Sequence, residues 1–191
     1  MELLEREILL NGKVLDGGVL KVGSFLNQNI NVKLLLKMGK AVAKRFKAKG
    51  VTKILTVEAS GIAFAVAVAK ALKVDAVFAK KTKALNADGE LYTAECYSYT
   101  RKVNNVLALP KEYLKKEDKI LVVDDFMAHG NAVVALTDIV AQAGAKTVGV
   151  AIEVEKGFQG GGDSLREKGL DVYSLAIVDS MENGKIVFRK Q

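Results

Sequence analysis

The chain has 191 residues, half of them hydrophobic and 27% charged, with a net charge of +7. This length suits one domain with a substantial core, and the composition is that of an ordinary globular protein. No run of about 18 apolar residues occurs, which excludes a membrane-spanning helix. A single cysteine, Cys96, excludes an internal disulfide and a thiolate metal cluster.

The positive charge suits either nucleic acid or a small polyanionic ligand. The lysines are spread along the chain rather than concentrated in one arm, which indicates scattered, solvated lysines and makes nucleic acid an unlikely partner. The N-terminal stretch MELLEREILL lacks the basic start and the small-residue cleavage site of a secretory signal. Together with the single cysteine, this predicts a cytoplasmic protein without a membrane partner.

Apolar periodicity predicts alternating helices and strands. Helices are predicted over residues 2–10, from an N-cap at Asn31 to Lys49-Gly50, after Gly61, after Asn131 and over 163–168. Strands are predicted over residues 19–22, 54–57, 74–79, 106–109, 120–123, 147–155, 172–178 and 186–188. This alternation is typical of an α/β fold in which helices flank a mostly parallel sheet.

Residues 82–105 interrupt the alternation. They contain Asp88-Gly89, which is a hairpin signal, and an alternating, aromatic-rich stretch at 91–99. We therefore expect an antiparallel arm, which would act either as a lid over a site or as a dimer contact.

Two further segments allow two interpretations each. Residues 23–29 are polar apart from two apolar side chains, and they form either a connector or a hood over a ligand. The stretch KGFQGGG at 156–162 predicts either a flexible turn or a base pocket. In the second case Phe158 would stack on a ring and Lys156 would contact an oxygen.

The most informative stretch is KILVVDDFMAHGNAVVALTDIVAQA, residues 119–143. Four aliphatic residues precede Asp124 and Asp125, and a short linker leads to Gly130 and a helix. Ligands of open α/β sheets bind at the carboxyl ends of strands, and a helix N-terminus binds phosphate. Paired carboxylates accept hydrogen bonds from sugar hydroxyls or hold water around a magnesium ion. The stretch therefore predicts a ribose-phosphate site, and an ordinary turn with solvated acids is the alternative.

A second strand–glycine–helix unit contains Ser60 and Gly61, and its helix N-terminus is another candidate anion site or an ordinary turn. Lys80 and Lys81 end the next strand, where they would either neutralise a pyrophosphate or lie in solvent. His129 is the only histidine, and nothing around it offers a nucleophile elbow. A Ser-His-Asp triad is therefore not expected.

Residues 120–132 resemble the phosphoribosyl-diphosphate motif of type I phosphoribosyltransferases: four hydrophobic residues, two acids, a linker, glycine and a small residue. The resemblance covers nearly the whole chain. It continues, in the same order and spacing, through VLKVGSFLNQNI, TVEASGIAFAVAVA, VFAKKTK and IEVEKGFQGGGDSL. The acidic pair marks only the superfamily, whereas the first and last of these segments resemble its xanthine-using bacterial members.

This resemblance implies a type I phosphoribosyltransferase fold in one domain, residues 1–191, with a small hood from about 12–30 and 156–191. It implies transfer of phosphoribose from 5-phosphoribosyl 1-diphosphate (PRPP) to N9 of xanthine in purine salvage, yielding xanthosine monophosphate and diphosphate. It also implies Mg²⁺ bound through PRPP, and a homodimer. A transferase preferring guanine or hypoxanthine is one alternative, and a PRPP-sensing regulator that binds nucleic acid is another.

The resemblance also implies roles for individual residues. Asp124 and Asp125 would be catalytic, facing the ribose hydroxyls and the positive charge that develops at the anomeric carbon. Xanthine would contact Leu20, Asn27 and Lys156. The 5-phosphate would bind the loop formed by Ala128, His129, Gly130, Asn131 and Ala132. The pyrophosphate would face Ser60, Gly61, and Lys80 or Lys81. No direct metal ligand is implied.

The phosphate loop departs from the family pattern. Many members carry Thr-Gly-Gly-Thr or Thr-Gly-Ser-Thr where this chain has His129 to Ala132. Because the last threonine hydroxyl is missing, phosphate binding is expected to rest more on backbone donors and on Asn131. His129 is interpreted as a partly exposed loop residue.

Overall fold

The structure is a computed structural model, and it describes residues 1–15, 17–82, 90–98 and 103–190. The helices within these ranges are α1 (Glu2–Asn11), α2 (Val32–Phe46), α3 (Gly61–Leu72), α4 (Asn131–Gln142) and α5 (Gly161–Glu167). The strands are β1 (Lys13–Leu15), β2 (Val19–Lys21), β3 (Lys53–Val57), β4 (Asp75–Thr82), β5 (Leu91–Ser98), β6 (Val103–Pro110), β7 (Lys119–Met127), β8 (Lys146–Lys156), β9 (Val172–Ser180) and β10 (Val187–Phe188). No described helix is long and apolar enough to cross a lipid bilayer.

An eight-stranded sheet with the order β10-β9-β8-β7-β3-β4-β6-β5 organises the molecule. Strands β9, β8, β7, β3 and β4 run parallel, and antiparallel strands extend both edges. This confirms the predicted α/β fold with a mostly parallel sheet. The parallel arrangement brings the carboxyl ends of β3, β7 and β8 to one edge.

Helices cover both faces of the sheet and enclose two apolar clusters. Met38, Val42 and Phe46 of α2 are fully buried on one face, and Leu136 and Ile139 of α4 are fully buried on the other. Each such side chain contributes about 1.5–3 kcal/mol by leaving water. The apolar periodicity of α2 and α4 therefore predicted the buried faces correctly.

The predicted cap of α2 is also confirmed. The side chain of Asn31 accepts a hydrogen bond from the backbone N–H of Leu34 at 3.1 Å. At the other end, a short 3₁₀ turn follows α2 and leads into Gly50, whose φ of 66° is in the left-handed region. The helix thus begins and ends close to the positions that the sequence predicted.

The antiparallel arm is confirmed as the β5–β6 pair. The arm is attached to the main fold by two hydrogen bonds between the side-chain amide of Gln142 in α4 and the backbone of Thr93. Nε2 of Gln142 donates to the Thr93 carbonyl at 2.7 Å, and the Thr93 N–H donates to Oε1 at 3.3 Å. The predicted hairpin signal at Asp88-Gly89 lies outside the described residues.

The central strand of the sheet is longer than predicted. The sequence placed the end of the central strand at Val123, yet β7 continues to Met127. The neighbouring strand β8 is longer still and supplies hydrogen-bonding partners, with Asp124 beside Ile152 and Met127 beside Glu155. The two acids therefore lie within a strand rather than in a loop.

The glycine-rich stretch after β8 is ordered rather than a flexible turn. Residues Gly157–Gln159 form a 3₁₀ turn, and α5 begins at Gly161. A Cβ at Gly161 would lie 2.3 Å from the carbonyl oxygen of Ala128, and one at Gly162 would lie 2.0 Å from a carboxylate oxygen of Glu155. These glycines allow a close approach between α5, β8 and the loop after β7.

The predicted hood has two different parts. Strands β1 and β2 form a separate antiparallel ribbon, of which only β2 was predicted. Strands β9 and β10, in contrast, extend the main sheet, so much of the second predicted segment is not a separate layer. The hood and its boundaries stay a prediction.

Candidate active site

A cavity of about 570 Å³ opens at the carboxyl edge of β3 and β7. Six parts of the chain meet there: the end of β7 with the loop that follows it, the loop after β3, the segment from β2 to α2, the arm, and the ends of β4 and β8. Its lining includes Leu20, Asn27, Glu58, Ser60, Lys81, Cys96, Tyr97, Asn105, Asp124, Asp125, Ala128, His129, Gly130, Asn131, Ala132 and Lys156.

The acidic pair lies at the floor of this cavity. Asp124 is 6% exposed and Asp125 is 8% exposed. Successive residues of a strand point to opposite faces, so the two carboxylates leave β7 on different sides. The backbone N–H of Asp125 donates to Oδ1 of Asp124 at 3.0 Å. On the other side, Nδ2 of Asn27 donates to Oδ2 of Asp125 at 3.4 Å.

Burial and the neighbouring charge act together on Asp124. Desolvation raises the pKa of this carboxyl well above its ordinary value, and the negative charge of Asp125 raises the pKa further. The ionised form therefore costs the folded protein free energy, which is the usual condition of a functional carboxylate rather than of a solvated turn.

The loop from Ala128 to Ala132 is built as an anion site. Gly130 caps α4 with a φ of 82°, and α4 points its N-terminus into the cavity. The loop is held from behind, because the N–H of Gly161 donates to the carbonyl of Ala128 at 3.2 Å. The backbone N–H groups at the start of α4 and the helix dipole suit a phosphate. All five predicted phosphate residues line the cavity.

Asn131 has a second role that the sequence did not predict. Its side-chain Nδ2 donates to the backbone carbonyl of Tyr97 at 3.0 Å. Tyr97 belongs to β5, so this bond ties the first residue of α4 to the arm. Asn131 therefore links the phosphate loop to the arm.

Only part of the predicted pyrophosphate set reaches the cavity. Ser60 and Lys81 line it, whereas Lys80 and Gly61 do not. Alternation along β4 explains the difference between the lysines, since adjacent side chains point to opposite faces. The backbone N–H of Lys81 donates to Glu58 at 2.7 Å, which fixes β4 against the loop after β3.

The three predicted base contacts come together in the same cavity. Leu20, Asn27 and Lys156 all line the cavity, although they are far apart in the sequence. Nζ of Lys156 donates to the carbonyl of Gly18 at 3.0 Å, and burial lowers the pKa of this amine. Phe158 is 43% exposed and is not among the lining residues, so the stacking role predicted for it stays a prediction.

Comparison with known proteins assigns the family. The model of the phosphoribosyl transferase domain matches residues 28–173. The chain belongs to the phosphoribosyltransferase family. A xanthine phosphoribosyltransferase of Ruminiclostridium cellulolyticum is 50% identical and aligns with 98% of this chain and 99% of its own length. Another, from Oceanobacillus iheyensis, is 48% identical over 100% of this chain and 98% of its own length.

Solved structures agree at the level of the fold. Adenine phosphoribosyltransferase from Thermoanaerobacter pseudethanolicus has a TM-score of 0.72 at 23% identity, covering 91% of this chain and 98% of the other. Adenine phosphoribosyltransferase from Saccharomyces cerevisiae has a TM-score of 0.73 at 21% identity, covering 92% of this chain and 99% of the other. This phosphoribosyltransferase therefore has the type I fold that its sequence predicted.

A third buried acid of this phosphoribosyltransferase was not predicted as part of the site. Glu153 of β8 is 2% exposed, and the β7–β8 register places it beside Asp125. Desolvation raises the pKa of its carboxyl well above the ordinary value, and the charges of Asp125 and Asp124 raise it further. A strand buried on both faces is normally almost entirely apolar, so the glutamate at position 153 of VAIEVEK is the sequence signal that could have identified this acid.

Glu153→Gln should stabilise this phosphoribosyltransferase at pH 8 and have less effect at pH 5. Folding raises the pKa of wild-type Glu153, so its carboxyl binds more protons in the folded state than in the unfolded state. The free energy of unfolding therefore falls as the pH rises above the pKa of the unfolded state. A neutral amide removes that dependence. Thermal unfolding at the two pH values tests this, with about 2–4 °C expected per kcal/mol. Exposed Glu167→Gln is the control, and equal shifts at both pH values would contradict the expectation.

Proposed function

We propose that this phosphoribosyltransferase transfers the phosphoribosyl group of PRPP to N9 of xanthine, releasing diphosphate and forming xanthosine monophosphate. The observation that carries the proposal is the meeting of two halves in one cavity. The acidic pair and the phosphate loop form one half, and Leu20, Asn27 and Lys156 form the other. The full-length relatives that carry the name xanthine phosphoribosyltransferase support the same substrate.

The proposed role of the acidic pair is electrostatic. As diphosphate leaves, positive charge develops on the ribose ring, and the transition state resembles an oxocarbenium ion. Carboxylates fixed beside the ring stabilise that charge in a site from which water is largely excluded. The hydrogen bond from Asn27 orients Asp125, and that from the Asp125 N–H orients Asp124. The chain otherwise contributes by holding the sugar phosphate and the base in line.

The proposed base contacts favour oxygen over an amino group. Asn27 and Lys156 both present N–H donors to the cavity, and xanthine carries carbonyl oxygens at its 2- and 6-positions. Guanine would place an amino group at the 2-position, and hypoxanthine would place only a hydrogen there. A half-buried donor facing either of these would lose its partner, which is how such sites discriminate.

We also infer that Mg²⁺ binds with PRPP. Mg²⁺ keeps several waters and is commonly held together with substrate phosphates, and it would neutralise the departing diphosphate. Ser60 and Lys81 line the cavity where the diphosphate would lie. Across the described ranges, no group of three carboxylate, imidazole or thiol side chains is placed to hold a metal unaided. Coordination would therefore come mainly from the substrate.

Two coarser features belong to the same proposal. A homodimer is expected because members of the family form one, and a cytoplasmic location fits a chain with one cysteine, which is buried.

A regulator that senses PRPP and binds nucleic acid is the competing function. It would bind nucleic acid in a salt-sensitive way and turn over no purine.

The base assignment is tested by Lys156→Met. Loss of a charged donor should raise KM for xanthine by about 10–100-fold, the equivalent of about 1.4–2.7 kcal/mol, and should change KM for PRPP less than about twofold. Asn27→Ala should act in the same direction and also lower kcat, because Asn27 contacts Asp125. Initial rates with each substrate varied in turn measure both constants.

The exposed lysine variant Lys168→Met is the matched control and should keep both constants. If Lys156→Met changed the two constants equally, Lys156 would not be a base contact. If wild-type protein used guanine or hypoxanthine in preference to xanthine, the related transferase would be the correct assignment.

A further inference from the structure

Thr56 of β3 carries a buried hydroxyl next to the catalytic edge. Its side chain is 1% exposed, and its Oγ1 has no hydrogen-bond partner within the described part of the chain. An apolar side chain of the same shape, such as valine, would fit a buried strand without this cost. The hydroxyl therefore needs an explanation other than packing.

Gly61 shows where the hydroxyl is directed. A Cβ at Gly61 would lie 2.3 Å from Oγ1 of Thr56 and 3.0 Å from Oδ1 of Asp124. Both oxygens thus border the same small space at the N-terminus of α3, and only glycine leaves that space open. The second of these oxygens belongs to a carboxylate of the proposed active site.

Among the described residues, this hydroxyl makes no hydrogen bond to the backbone. Strand β3 pairs with β4 through Thr56 and Val57, whereas its pairing with β7 ends at Leu55. The register places Thr56 beside Phe78, which has no side-chain acceptor. Asp124 is different, because Oδ1 accepts one N–H from Asp125 and a carboxylate oxygen can accept another donor.

We propose that Thr56 is a positioning residue, whose hydroxyl donates to the Asp124 carboxylate in the substrate complex and holds it against the ribose. This role rests on the proposed function, because it requires Asp124 to act on the sugar. A small rotation of the Asp124 side chain into the space above Gly61 would complete the bond. The hydroxyl that is unpaired in the free protein then gains a hydrogen-bond partner when the substrates are bound.

The charges around Asp124 explain why an extra donor matters. Asp125, Glu153 and the thiol of Cys96 face it as acids, and Lys81 faces it as the opposing cation. Burial and the charge of Asp125 favour the protonated form of Asp124, and the charge of Lys81 opposes them. A hydrogen bond donated by Thr56 favours the ionised form, which is the form that stabilises positive charge on the ring.

The test compares Thr56→Val with Thr56→Ser in the full chain. Valine keeps the shape and β-branching but loses the donor, whereas serine keeps the donor. We expect Thr56→Val to melt at or above the wild-type temperature, to lose about tenfold or more in kcat, and to keep KM for xanthine within about twofold. Thr56→Ser should recover most of the lost kcat, even if it melts at a lower temperature.

Each outcome decides the proposal. Wild-type kcat in Thr56→Val would overturn it. So would a lower kcat that accompanies a lower melting temperature and is not recovered by serine, because that pattern indicates a packing role. Wild-type turnover of xanthine is measured alongside. Its absence would overturn the proposed function and this role together, whereas its presence with an unaffected Thr56→Val would overturn the role of Thr56 alone.

Discussion

Asp124→Asn should lower kcat by about two to three orders of magnitude while making the protein more stable at pH 8. The loss follows from removing a fixed negative charge beside the developing oxocarbenium ion. The gain in stability follows from the raised pKa of Asp124, since a neutral amide avoids ionising a buried group next to Asp125. Opposite changes in activity and stability are the signature of a residue retained for function.

Steady-state turnover and thermal unfolding of the same preparation test this expectation. Asp75→Asn, at an exposed position at the start of β4, is the matched control and should change neither quantity. Asp125→Asn should also lower kcat, but its contact with Asn27 would be altered as well. Unchanged turnover in Asp124→Asn would remove its proposed role, and a lower melting temperature would show that Asp124 is mainly structural.

Glu155→Ala should have the largest effect on stability. Glu155 is fully buried, and its two oxygens accept hydrogen bonds from Arg166 at 2.9 and 2.6 Å and from the hydroxyl of Ser174. Removing the carboxylate leaves a half-buried guanidinium and a buried hydroxyl without this partner. The expected cost is about 3 kcal/mol, at the lower end for a broken buried pair because Arg166 is 29% exposed.

That cost corresponds to a fall in melting temperature of roughly 6–12 °C. Thermal or denaturant unfolding measures it, with exposed Glu167→Ala on α5 as the control. Glu155 directly precedes Lys156 in β8, so KM for xanthine should rise as well. A melting temperature within about 2 °C of wild type would show that the Glu155–Arg166 pair contributes no net stability.

Local sequence patterns correctly predicted several of the helices and strands. The four aliphatic residues before Asp124 and the helical spacing after Asn131 correctly predicted β7 and α4. The Asn31 cap and the antiparallel arm were also predicted correctly. Each of these depends on residues close together in sequence, where periodicity and capping preferences carry the information.

Features that depend on distant neighbours were not predicted. The extension of β7 past Val123 requires pairing with β8, and the turn at Gly157–Gln159 packs against Ile177 and Asp179 of β9. The distinction between Lys80 and Lys81 depends on which face of β4 meets the cavity. The hydrogen bond from the Asn131 side chain to the Tyr97 carbonyl joins α4 to β5. Local sequence patterns do not show that these two elements are neighbours.

The central claim is that the cavity joins PRPP to xanthine, and a purine panel tests it most directly. Purified protein is mixed with PRPP, Mg²⁺ and xanthine, guanine, hypoxanthine or adenine in turn, and kcat/KM is measured from nucleotide formation. We expect xanthosine monophosphate to form with the highest kcat/KM, with Asp124→Asn reducing that rate at least about a hundredfold. No nucleotide from any purine, or a higher kcat/KM for another base, would contradict the claim.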